Sequence, residues 1–120
     1  MIKDIAFVGY PTKDIKKARE FYEGVLGFVP SDEFGPITDE SHFIEYPVGN
    51  STIALGQMDT WLPSKDGPSA AFEVDNLKEL VETVRSKGYE VMMEVMEFPN
   101  CSMGIVRDAD SNMVTLHQKK

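Results

Sequence analysis

The sequence predicts an α+β fold made of two tandem copies of one unit, each a strand, a helix and three further strands. Three observations predict it. Residues 14–28 read DIKKAREFYEGVLGF, where Ala18, Phe21, Tyr22, Val25 and Leu26 recur at three- and four-residue steps on one helix face. Residues 75–89, DNLKELVETVRSKGY, repeat the figure with Leu77, Leu80, Val81 and Val84 as the apolar stripe. The offset agrees at both ends, since 75 minus 14 and 88 minus 27 both give 61.

Asp14 and Asp75 are the expected helix starts, because a carboxylate accepts bonds from the free N–H groups of a first turn. Gly27 and Gly88 are the expected ends, because a left-handed cap favours a residue without Cβ. Residues 2–10, IKDIAFVGY, are rich in β-branched and aromatic residues and read as a strand that Pro11 ends. The helix at 14–26 follows, then a short strand from Phe28 and a polar loop at 31–41. Residues 43–46 and 52–57 are strands joined by the turn signal Pro47-Val48-Gly49-Asn50. The second unit repeats the order: strand 69–74, helix 77–87, strand 89–95, a turn at 97–100, and strands 102–107 and 113–117 around residues 108–112. One domain, 1–120, is expected, with module one at 1–57, a crossover at 58–68 and module two at 69–120.

Composition narrows the function. Of 120 residues, 42% are apolar, enough for a folded core. The net charge of −8 disfavours nucleic acid and anionic membranes, which reward clustered Lys and Arg. One cysteine, Cys101, rules out an internal disulfide and a thiolate zinc cage. MIKDIAFVGY lacks the long apolar core of an export signal, and no apolar run approaches the ~20 residues of a membrane span. A cytoplasmic location is expected.

Asp14, Phe21-Tyr22 and Leu26-Gly27-Phe28 form a D…FY…LGF pattern, continued by Val74-Asp75-Asn76. The chain closes on Asp108, Asp110, Asn112 and Val114, with Ala109 and Ser111 where a DPDGN-x-V hairpin has proline and glycine. Over essentially its whole length the chain resembles the vicinal oxygen chelate superfamily of glyoxalase I, bleomycin-resistance proteins and extradiol dioxygenases. The resemblance implies two βαβββ modules whose curled mixed sheets form a cup with the helices outside. It also implies a homodimer, and in many members a divalent metal held by four His or Glu side chains. Here the corresponding positions are Phe7, Ala54, Ser69 and Thr115. Phenyl and methyl groups cannot coordinate and lone hydroxyls are poor ligands, so no metal and no cofactor are expected. Neighbouring Ala6, Val8, Ile53, Leu55, Ala70, Val114 and Leu116 offer no better donors.

Period-2 alternation assigns Ala6, Val8, Ile53, Leu55, Ala70, Phe72, Val114 and Leu116 to the helix side. The cup side then carries Phe7, Thr52, Ala54, Ser69, Ala71, Glu73, Thr115 and His117, which with Trp61 are the expected ligand-binding and site residues. His117, Glu73 and Glu45 are the candidate catalytic residues, because imidazole titrates near neutrality and burial raises a carboxyl pKa. Glu45 has this role only if Phe43 and Glu45 point inward rather than Ile44 and Tyr46. Trp61, in the Pro-rich crossover, either stacks on a flat ligand or pins the linker to the core. His42 borders a loop and reads as a surface residue. A metal site from His117, Glu73, Glu45 and His42 would match no known spacing. Met92, Met93, Met96, Met103 and Met113 line an adaptable face or join the core, the core being the favoured reading. Cys101 has no activating neighbour in sequence. The expected function is metal-independent small-molecule binding of the bleomycin-resistance type; the alternative is a lyase, isomerase or hydrolase of the same superfamily using Glu/His acid–base chemistry or a non-standard metal site.

Overall fold

The computed structural model describes residues 1–34 and 42–120. The chain forms two compact units, Met1–Pro63 and Ser64–Lys120. Each contains four strands and one helix among the described residues, in the order strand, helix, strand, strand, strand.

In the first unit these are β1 (Val8–Pro11), α1 (Ile15–Tyr22), β2 (Asp32–Phe34), β3 (His42–Val48) and β4 (Ser51–Gln57). The sheet order is β1-β4-β3-β2. β1 lies parallel to β4, with Val8 opposite Ile53, while β2–β3 and β3–β4 are antiparallel. Thus the first and last strands of the unit are neighbours. Ile44, Tyr46, Ile53 and Leu55 alternate inward on β3 and β4 and are buried, as are Ala18, Phe21 and Tyr22 of α1. Tyr22 is the hub, with ring centroids 5.7 Å from Tyr10 and 6.5 Å from Tyr46. The Tyr46 hydroxyl donates to Glu23 (2.7 Å), which also receives Arg19 one helical turn back (2.6 Å). Burial acts to raise the Glu23 pKa, but the bonds from Arg19 and Tyr46 outweigh it and hold the group below its ordinary value.

The second unit holds β5 (Ala70–Glu73), α2 (Leu77–Ser86), β6 (Val91–Glu97), β7 (Cys101–Arg107) and β8 (Met113–Lys119). Its sheet order, β5-β8-β7-β6, repeats the first, with β5 parallel to β8. Phe72, Val106, Val114 and Leu116 face the buried Leu77, Val81 and Val84 of α2. A Cβ on Gly104 would stand 3.3 Å from Val81, so the helix packs close to β7 there.

Both helices start against the last strand of their own unit. Gln57 accepts from Ile15 N (2.9 Å), and Gln118 accepts from Leu77 N (3.0 Å). These glutamines satisfy a first-turn N–H that would otherwise be orphaned. Asp14 also caps α1, accepting from Lys16 and Lys17. The expectation for Asp75 is corrected: the cap position of α2 is Asn76, whose side chain makes no cap bond. Gly27 and Gly88 take the left-handed conformation, with φ of 78° and 90°. The Phe28 N–H then returns to the Tyr22 carbonyl at 2.9 Å, closing the end of α1.

Most strand boundaries differ from the sequence reading by a residue or two, and two strands in the first unit differ by more. The first strand is Val8–Pro11, not 2–10, because β4 begins at Ser51 and leaves the residues before position 6 nothing parallel to pair with. No strand starts at Phe28; β2 begins at Asp32, inside the expected loop. The rest of that loop, 35–41, lies outside the described residues. No helix among the described residues is long and apolar enough to cross a membrane.

Candidate functional site

The face of the first sheet turned away from α1 carries Gly9, Ala54 and Glu45 in one cross-strand row, and Pro11, Gly56 and Phe43 in the next. Trp61 lies on this face. A Cβ built on Gly9 would stand 2.7 Å from the indole, and one on Gly56 would stand 2.5 Å from it. Real side chains do not approach so closely, so only glycine at both positions lets the ring rest on the backbone. Phe43 closes one side, 2.7 Å from the same point on Gly56. Trp61 is held by a tight turn in which its N–H reaches the Met58 carbonyl (3.2 Å). The crossover is therefore pinned to the sheet of the first unit.

Glu45 shares the face of Phe43 because Ile44 and Tyr46, its chain neighbours, are buried against the helix. Ala54 is nearly covered at 6% exposure, and Thr52 is half-buried. Phe7 precedes β1 rather than lying in it, and is 59% exposed. Gly9, Gly56 and Phe43 had no assigned site role in the sequence. The signal was present, since glycine inside a strand pattern marks close approach by another group.

On the corresponding face of the second sheet, Ala71 is paired with Thr115 and Glu73 with His117. Ala71, Glu73 and His117 are more open than the buried Phe72, Val114 and Leu116 of the helix side, whereas Thr115 is itself buried at 8% exposure. The Ser69 and Thr115 hydroxyls bond to each other at 2.7 Å. His117 Nδ1 lies 2.6 Å from Glu73 Oε1, and the other carboxylate oxygen accepts the Lys119 N–H at 2.7 Å. The Lys119 amide, then His117, hold the Glu73 carboxyl below its ordinary pKa. An ionised Glu73 can only accept, so Nδ1 carries the proton and Nε2 of a neutral ring carries the lone pair. Nε2 makes no bond to another described residue.

The methionines do not join the core. Met92 and Met96 are 45% and 49% exposed, and Met93, Met103 and Met113 are half-buried. Two register shifts in β6 bring Met93 opposite Ile105 and Met96 opposite Met103. Ile105 and Met103 alternate with the helix-facing Gly104 and Val106, so these methionines stand on the helix-free face.

The remaining candidates stand apart. His42 is exposed at the start of β3, opposite Gln57. Cys101 is a half-buried free thiol at the start of β7. Asp108 and Asn112, both buried, tie the closing hairpin: Asp108 accepts from the Asp110 and Asn112 backbone and from the Asn112 amide. Among the described residues no three His, Cys, Asp or Glu side chains group to hold a metal. An open cavity of about 340 Å³ lies at the start of α2, between Lys78, Glu97, Ser102 and Lys120. It does not include His117 or Glu73, and Glu97 there is already engaged by Ser102 and Lys120.

No curated protein matches the chain. Solved structures do. TnmS3, an antibiotic-binding protein from a Streptomyces species, superposes with a TM-score of 0.79 at 19% identity, covering 99% of this chain and 98% of that one. A glyoxalase/bleomycin resistance protein/dioxygenase domain from a Frankia species gives 0.79 at 19% identity over the full length of both. A mutant of the fosfomycin resistance protein FosX from Listeria monocytogenes, complexed with Mn(II) and 1S,2S-dihydroxypropylphosphonic acid, gives 0.82 at 17% identity, covering 100% of this chain and 95% of that one. At such identities these likenesses establish the fold alone. The family itself rests on sequence: residues 4–116 match the model of the Glyoxalase/Bleomycin resistance protein/Dioxygenase superfamily, and the chain belongs to it.

Proposed function

We propose that the protein binds a small organic molecule on the helix-free faces of its sheets, without a divalent metal, in the manner of the antibiotic-binding members of its superfamily. The observation that carries this reading is the aromatic surface of the first unit, where Trp61 rests on Gly9 and Gly56 beside Phe43. Apolar, aromatic walls with a few fixed polar groups are what small-molecule sites are made of. Phe7, Ala54, Ser69 and Thr115 support the metal-free part. Two of the four have no donor atom, and the two hydroxyls already bond to each other. Thr52 is a further proposed contact on the face of the first unit, and Ala71 and His117 are proposed contacts on the face of the second, each unit taken by itself.

The test is a titration of the sole tryptophan's fluorescence with aromatic natural-product antibiotics, bleomycin among them, in EDTA. Saturable 1:1 quenching by a member of the panel is expected. Binding that appears only when Mn(II), Ni(II) or Zn(II) is restored, or one firmly held divalent ion per purified chain, overturns the reading.

The His117–Glu73 pair favours a second reading, a lyase, isomerase or hydrolase. A carboxylate fixing Nδ1 leaves Nε2 to take a proton from a carbon beside a carbonyl, with Glu45 as a further candidate base. Turnover that survives a His117→Ala, Glu73→Ala, Glu45→Ala triple substitution removes it. The protein is further proposed to be a cytoplasmic homodimer.

A further inference from the structure

One row of the second sheet crosses all four strands. Glu73 on β5 pairs with His117 on β8, His117 with Met103 on β7, and Met103 with Met96 on β6. Paired residues point to the same side, and neighbouring strands stand ~4.8 Å apart. A carboxylate, an imidazole and two thioethers therefore follow one another along a line on the helix-free face. None of the four is buried.

We propose that this row is a binding site for a soft monovalent cation, Cu(I) or Ag(I), with His117 Nε2 and the sulfurs of Met103 and Met96 as ligands. Thioether and imidazole are the donors that select such ions over Mg, Ca or Mn. Methionine side chains are long and unbranched, so sulfurs on adjacent strands can turn toward one point beside the ring. Glu73 plays the part that a carboxylate plays behind a metal-bound histidine. It holds Nδ1 at 2.6 Å, is itself fixed by the Lys119 amide, and so presents Nε2 outward. The site does not depend on the small-molecule reading and uses none of the four positions at which the superfamily places its divalent ion. Two of its three donors are soft thioethers, which favour Cu(I) or Ag(I) over hard dications. A competing thiol donor is Cys101, two residues before Met103 on the same strand.

The experiment is a titration of the Cys101→Ser protein with Cu(I) against a chromophoric Cu(I) chelator, repeated with Ag(I), so that a lone thiol supplies nothing. One ion per chain is expected. Met103→Leu, Met96→Leu and His117→Ala should each weaken binding about tenfold or more, and Glu73→Gln about tenfold through ring orientation. Met58→Leu, a thioether in the first unit, should leave it unchanged. With methyl-labelled methionine, Ag(I) should shift the Met96 and Met103 methyl signals and not that of Met58, a readout that needs no substitution in the row. No binding by Cys101→Ser, unchanged affinity in Met103→Leu, or unmoved Met96 and Met103 signals at one equivalent of Ag(I) overturns the proposal, leaving the row an apolar wall.

Discussion

A methyl group on Gly56 would fall 2.5 Å from the Trp61 ring and 2.7 Å from Phe43. Neither ring can share that space, so Gly56→Ala must lift the indole off the sheet. Overpacking of this kind costs about 1–3 kcal/mol. Urea unfolding should record that loss, and the emission of Trp61 should shift to the red as the ring meets water. The same substitution in a Trp61→Ala background should cost markedly less. Glu73 supports a second prediction. Its folded pKa is depressed, so its contribution to stability is present above the ordinary carboxylate value and disappears as pH falls through the folded value. Between pH 6 and pH 3 the wild type should therefore lose more stability than Glu73→Gln, measured by chemical denaturation at each pH. At this scale the sequence was partly legible. Alternation put Glu73 and His117 on one face because a β-strand has a fixed period of two, but their pairing rests on the β5–β8 register. It did not reveal Trp61 on Gly9 and Gly56, because a loop has no period to carry its side chain to a known face. Met92, Met93 and Met96 were misplaced for a related reason: two irregularities in β6 shift its register, and nothing local in VMMEVME marks them.

The two helices look alike in sequence and begin differently. Asp14 accepts from two first-turn N–H groups, whereas Asn76 accepts from none. Asp14→Ala should cost about 1 kcal/mol and Asn76→Ala only a few tenths. Thermal unfolding of the two variants would show whether that order holds. Gln57 and Gln118 make the same bond in each unit, and Gln118→Ala should cost more than Asn76→Ala because it orphans the Leu77 N–H. Sequence showed both helices and their apolar stripes, since these are local, but it put the cap of α2 one residue early and carried α1 to Leu26, four residues past its end at Tyr22. It did not show the glutamines as helix anchors, because they lie 42 and 41 residues along the chain from the N–H groups they meet.

The chain as a whole repeats one topology, and the duplication was readable from the matched spacing of its two Asp…Gly helices. The strand order was not, since pairing β1 with β4 and β5 with β8 joins segments far apart in the chain. The proposed homodimer belongs to this scale. Met1, Ile2, Ile5 and Phe7 are all strongly exposed, at 117%, 93%, 70% and 59%, and apolar surface of that kind favours association. Light scattering should give twice the chain mass across a wide concentration range, and a monomer at every concentration would refute it.

The parallel pairing of each unit's outer members also sets an order of events during synthesis. β1 emerges early but must wait for β4 at Ser51–Gln57, so until then it has no ladder to join. A nascent chain that ends before Ser51 therefore lacks the strand that pairs with both β1 and β3, and neither ladder exists until residues 51–57 are made.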